Sequence, residues 1–147
     1  NLPMHIALPA PAKYVLRVVV WRVRGAKAMD PITDQNDMFI IGRVEGSNPA
    51  DGALIRDQKQ TDTHWRCKGG TASFNYRWAF DVQVPMVRSR LVLQGWDRDL
   101  IGSNDMIGEA SISLQGLFTQ ALRHTGTGGA PLRYPSEEAS RLVTEDS

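Results

Sequence analysis

FNYRWAFDVQV, residues 74–84, alternates without a break: Phe74, Tyr76, Trp78, Phe80, Val82 and Val84 are separated by Asn75, Arg77, Ala79, Asp81 and Gln83. In extended backbone, residues two apart share a face, so this pattern predicts an antiparallel strand with one buried and one wet side. Trp78 and Phe80 belong to the buried side, Arg77 and Asp81 to the wet one. Pro85 has no N–H to continue the ladder and stops the strand.

Strand and turn signals recur on both sides of it. Upstream, residues 14–23 (YVLRVVVWRV) are β-branched and apolar on both alternating faces apart from Arg17 and Arg22, as expected for a strand well inside a sheet. Residues 38–44 form a second strand, 46–52 (GSNPADG) a turn, 57–63 (DQKQTDT) a hydrated edge strand and 68–73 (KGGTAS) another turn. Downstream, residues 91–96 and 106–114 are strands. Short strands punctuated in this way predict an all-β fold, an antiparallel Greek-key β-sandwich of about eight strands. Residues 1–13, with Pro3, Pro9 and Pro11, read as an extended lead-in in which 4–8 form a short edge strand. Residues 14–147 then make one domain, clearest over 14–114. Near the C-terminus, residues 117–122 read as a helical turn, 124–131 as a connection and 136–143 as a short helix capped by Ser136.

Composition narrows the function classes. A chain of 147 residues is long enough for a two-layer core. Its net charge of +1 provides no large positive field for nonspecific nucleic-acid binding. The single cysteine, Cys67, excludes an internal disulfide and a Cys-rich zinc site and fits a reducing compartment. No apolar run approaches the roughly 20 residues that span a bilayer, and the start at Asn1 suggests a piece of a longer protein. No nucleophile, base and orienting group come together, so the sequence does not read as an enzyme.

Chemistry concentrates in two strand connections. Residues 96–105 (WDRDLIGSND) carry Asp97 and Asp99 two apart on extended backbone, and the Gly-Ser-Asn turn brings Asp105 back toward them. Two carboxylates about 5 Å apart repel by roughly 3 kcal/mol at an effective dielectric near 20, so such a cluster wants protons, basic partners or a hard cation. Oxygen-only ligands on a loop suit Ca2+. A solvated turn is the competing reading, because Asp, Asn, Ser and Gly are ordinary turn formers. An EF-hand fails: Gly108 stands where the twelfth position of the loop requires a bidentate Glu. Residues 28–37 (AMDPITDQND) repeat the strand, acidic loop, strand arrangement, with Asp30 and Asp37 at the margins. A Greek-key sandwich can bring both loops to one end.

On Met29-Asp30, Asn36-Asp37-Met38-Phe39, Trp96-Asp97-Arg98-Asp99 and Asn104-Asp105-Met106-Ile107-Gly108, the sequence resembles the C2 domain family over roughly residues 14–114. The phrases LRVVVW (16–21), DQKQTDTH (57–64) and SFNYRWAF (73–80) are similar to those of ferlin C2 domains. The resemblance implies a calcium-dependent phospholipid-binding module of a larger membrane-trafficking or fusion protein. It implies Asp30, Asp37, Asp97, Asp99 and Asp105 as calcium ligands, helped by the backbone carbonyls of Met29 and Arg98. It also implies action at the cytoplasmic face of membranes, with the parent protein anchored outside this fragment. The motif departs from the family's usual Ser-Asp-Pro-Tyr in having no proline, and the interval from Asp30 to Asp37 is slightly long. A calcium-independent protein-interaction or structural module is the alternative, with neighbouring domains or trafficking proteins as partners.

Apolar residues sit between these aspartates, Ile32 in the first loop and Leu100 and Ile101 in the second, and are candidates for membrane contact once an anionic phospholipid surface is engaged. Lys59, Arg66 and Lys68, among other basic residues, are candidates for headgroup binding, with a solvated face as the competing reading. Arg66 and Lys68 flank Cys67 and would lower its pKa. Most of Trp21, Trp65, Trp78 and Trp96 are expected in the core. His5, His64 and His124 have no metal spacing and read as incidental.

Overall fold

A computed structural model describes residues 11–30 and 32–123. Among these described residues, seven strands and one helix follow in chain order: β1 Ala12–Val23, β2 Gln35–Ser47, β3 Leu54–Gln60, β4 His64–Lys68, β5 Ala72–Val84, β6 Val87–Asp97, β7 Asp105–Ser113 and α1 Gln115–Arg123. They form two layers. β1 pairs antiparallel with β5, while β3, β2, β6 and β7 lie side by side in the second sheet and β4 also pairs with β2. β3 and β4 therefore run along one edge of β2 in succession, opposite residues 41–47 and 35–38 respectively.

The alternation in β5 is obeyed. Phe80 is 0% and Trp78 5% exposed, whereas Arg77 and Asp81 face solvent. Both aromatic side chains cross to the opposite sheet, and their neighbours are shaped to receive them. A Cβ on Gly42 of β2 would come within 2.4 Å of the Trp78 ring, so only glycine fits there. The Trp78 indole N–H donates to the Gln60 carbonyl at 3.3 Å, which satisfies its one polar atom. Met38, Val44 and Val84 complete the most enclosed part of the core.

Helix α1 closes the end of the sandwich remote from the acidic loops. Leu117, Phe118, Ala121 and Leu122 form a stripe at helical spacing; Phe118 and Ala121 are buried, and Leu117 and Leu122 pack against the core. The Tyr14 hydroxyl donates to the Ala121 carbonyl at 2.9 Å, tying α1 to β1. The helical turn read at 117–122 is thus part of a full helix. The readings at 4–8, 124–131 and 136–143 fall outside the described residues, as do His5 and His124.

Two expectations are corrected. β1 does not lie well inside a sheet: among the described residues it pairs with β5 alone, and one of its faces is open, with Val15 53% and Trp21 58% exposed. Its apolar character on both faces therefore does not reflect burial on both. The tryptophans are not mostly in the core either. Trp78 is buried and Trp96 half-buried, but Trp65 joins Trp21 in facing solvent. Trp65 stands on the short edge strand β4, which among the described residues pairs with β2 alone.

Candidate metal centre at the acidic loops

The ladder register brings the two acidic loops to one end. Met38 pairs with Asp97 across β2 and β6, and Asp97 pairs with Asp105 across β6 and β7. Asp99 follows Asp97 by one strand repeat, and its N–H donates to the Asn104 side-chain oxygen at 3.0 Å, which folds the loop back. Carboxylate oxygens of Asp97, Asp99 and Asp105 consequently lie within 4.8 Å of one another.

Asp37 belongs to the same neighbourhood. Its N–H donates to the Asp97 carboxylate at 2.7 Å, and its carbonyl accepts from the Arg98 N–H at 2.8 Å. Its own carboxylate accepts from the Arg66 N–H at 2.8 Å, where β4 adopts a left-handed φ of 55°. That contact fastens the edge strand to the loop. Arg98 is held from both sides: its guanidinium lies 4.5 Å from the Phe39 ring centre and donates to Thr63 Oγ1 at 2.9 Å.

Electrostatics record the crowding. Burial pushes the Asp97 carboxyl above the usual aspartate range against the hydrogen bond from Asp37, and repulsion from Asp99, Asp37 and Asp105 adds to it. Loss of hydration, with Asp105 and Asp37 nearby, moves Asp99 the same way. Groups that resist ionisation through lost hydration, with like charges facing them as well, are groups that a divalent cation would relieve. The donor set is all oxygen and partly exposed, which fits a hard cation such as calcium.

Asp30 stands differently. Its carboxylate accepts from the Ile32 N–H at 3.0 Å and the Thr33 hydroxyl at 2.8 Å, and these bonds hold its pKa below the ordinary value. It shapes its own loop and is not among the three clustered carboxylates. Met29 is fixed by an N–H bond to the Asn36 side chain at 2.8 Å. Asn36 is a residue that sequence reasoning missed: it is 2% exposed, and its amide also donates to the Lys27 carbonyl at 3.0 Å, so one side chain braces the first loop. Its signal was hidden because Asn in a stretch of Asp, Thr and Pro reads as turn material.

The apolar loop residues project outward, with Ile32 93%, Leu100 85% and Ile101 94% exposed. The basic trio divides. Arg66 and Lys68 are exposed on β4 near the loops, whereas Lys59 pairs with Gly42, seven β2 positions from the partner of Lys68, or about 23 Å along the strand. Its ammonium lies 5.5 Å from the Phe80 ring centre. Cys67 corrects another expectation: burial pushes its thiol pKa up, reinforced by Asp37 and Asp97, so the flanking cations do not activate it. His64 is accounted for structurally, 3.3 Å from an Asp62 carboxylate oxygen and with its ring centre 4.3 Å from that of Phe74.

Comparison with known proteins bears on the fold and the family. Ferlin 1 of Toxoplasma gondii is 34% identical over 119 residues, covering 81% of this chain and 8% of that protein. Ferlin 2 of Tetrahymena thermophila is 31% identical over 77% of the chain and 7% of its own length, and mouse myoferlin 26% identical over 76% and 6%. The chain thus spans less than a tenth of each of these relatives. Among solved structures, a C2 domain of plant Extended Synaptotagmin 1 superposes with a TM-score of 0.50 at 18% identity, covering 69% of each chain. A C2 domain of RIM from Drosophila gives 0.52 at 16% identity, covering 68% of this chain and 75% of its own. These two likenesses concern the fold. The family model for the C2 domain matches residues 14–127, which takes in both sheets, both acidic loops and α1, and the chain therefore belongs to the C2 domain family.

Proposed function

We propose that this C2 domain is a non-catalytic, calcium-regulated membrane-binding module of a larger ferlin-like trafficking or fusion protein, acting at the cytoplasmic face of membranes. The observation that carries the reading is the group of Asp97, Asp99 and Asp105, with mutual oxygen distances within 4.8 Å, set between exposed Ile32, Leu100 and Ile101. Asp37 is the fourth ligand we assign. Asp30 and the carbonyls of Met29 and Arg98 complete the set that the family resemblance implies. A bound calcium ion would supply the positive charge that cancels acidic repulsion and attracts phosphate oxygens.

The chain's own residues do the rest. Asp97 and Asp99 hold ligand oxygens on a strand end whose register is set by β2 and β7. Leu100 and Ile101 enter the lipid interface, each contributing about 1.5 to 3 kcal/mol when fully buried. Arg66 and Lys68 lie on the neighbouring strand, where positive charge favours anionic headgroups. The ferlin relatives support the ferlin-like part of the reading.

A calcium-independent interaction module is the second reading. Asp97 and Asp37 already accept backbone hydrogen bonds that pin the loops without a cation, which favours it. Co-sedimentation with phosphatidylserine vesicles separates the two. An increment in pellet recovery that appears with calcium and is removed by EGTA supports the first; equal recovery with calcium and in EGTA supports the second.

A further inference from the structure

The outer face of the β1–β5 sheet lies on the side of the sandwich, away from the clustered aspartates. Along β1 it presents Val15, Val19 and Trp21, which are 53%, 37% and 58% exposed. Lys13 and Arg17 alternate with them on the same strand face. Across the ladder Arg17 stands opposite Ala79 and Val19 opposite Arg77, whose guanidinium lies 5.6 Å from the Trp21 ring centre. Among the described residues of this face, Asp81, opposite Val15, is the one carboxylate.

We propose that this face is a second lipid-contacting surface, which engages an anionic bilayer without calcium. The charge on it is complementary to anionic headgroups: three cations against one carboxylate, with Arg22 exposed at the next position of β1. Its apolar part suits the water–lipid boundary rather than the hydrocarbon interior, since tryptophan favours that level and arginine beside it keeps its charge in the headgroup layer. Trp21 is also two residues from Val23, where β1 leads into the first acidic loop, so a membrane touching that loop can extend onto this face.

The test is co-sedimentation in EGTA with vesicles of phosphatidylserine and phosphatidylcholine, against vesicles of phosphatidylcholine alone. Wild-type protein is expected to pellet with the anionic vesicles only, and less as salt rises. Arg17→Glu/Arg77→Glu should weaken this binding at least tenfold, and Trp21→Ala severalfold, while the calcium-dependent increment persists. Ala79→Glu provides an independent variant that adds negative charge at the exposed centre of the face and leaves the Arg77–Trp21 contact in place. Melting temperatures show which variants are folded. Absence of wild-type binding in EGTA overturns the proposal, as does binding that is equal in wild type and in the folded variants. Binding of wild type to soluble polyglutamate but not to anionic vesicles would assign the face to an acidic protein segment and overturn the lipid assignment. Loss of the calcium-dependent increment alone would count against the aspartate site and leave this face intact.

Discussion

The Asp37 N–H donates to the Asp97 carboxylate at 2.7 Å, a bond between positions 60 residues apart. One carboxylate thus joins the two acidic loops while sharing a crowded volume with Asp99 and Asp105. Alanine and asparagine separate these roles. Asp97→Ala removes the acceptor and should cost about 1 to 2 kcal/mol of stability. Asp97→Asn keeps an oxygen acceptor and deletes one repelling charge, so its calcium-free melting temperature should lie at or above that of wild type. Thermal unfolding of the three proteins in EGTA checks this order.

Glu45 contributes to the loss of stability in acid. Burial works to raise its pKa, but hydrogen bonds from Arg43, at 2.7 Å, and from Arg90 outweigh it and hold the carboxyl below the ordinary 4.5. Because the folded value is the lower one, this stabilisation is complete above the ordinary value and is lost as pH falls through the folded one. Asp97 and Asp99 act with the opposite sign. Their folded values lie above 3.8, so ionisation at neutral pH burdens the calcium-free fold and acidification through those raised values relieves it. Glu45→Gln should cost about 1 to 2 kcal/mol at neutral pH, a low figure because Arg56 and Arg90 are largely exposed. It should also flatten the loss of stability in acid. Urea midpoints measured across the acid range in EGTA report both.

Gly42 and Trp78 should behave as a coupled pair. A methyl group on Gly42 would collide with the indole at 2.4 Å, so Gly42→Ala should destabilise by about 1 to 3 kcal/mol. In a Trp78→Leu background the same change should cost much less, giving a coupling energy that a double-mutant cycle measures. Phe80→Ala, at a position with 0% exposure, should cost about 3 to 5 kcal/mol.

Leu100→Ser/Ile101→Ser addresses the loop tip. Both residues are exposed and neither is a ligand, so calcium affinity without lipid should barely change. Calcium-dependent binding to phosphatidylserine vesicles should fall at least tenfold, about 1.4 kcal/mol. Equal vesicle binding by the variant and wild type would eliminate tip insertion.

The fold was legible wherever one strand face is buried and the other wet. Residues 74–84 carry that information locally, and the structure places each side chain accordingly. β1 was less legible because Val15, Val19 and Trp21 are apolar yet exposed, so hydrophobicity alone overstated its burial. The acidic loops were legible as local patterns. Their bracing was not, because Asp37 to Asp97 and Arg66 to Asp37 are long-range contacts fixed by register. The same holds for Glu45, whose partners Arg56 and Arg90 come from two other strands. β3 and β4 were compressed into one edge segment at 57–63 because their polar residues blur the alternation.

Calorimetric titration of calcium into the lipid-free protein, wild type beside Asp97→Asn/Asp99→Asn, tests the central claim most directly. The account predicts saturable binding heat and a raised melting temperature for wild type, with both largely abolished in a double variant that remains folded. A folded wild-type protein that gives neither heat nor thermal shift at millimolar calcium would contradict it.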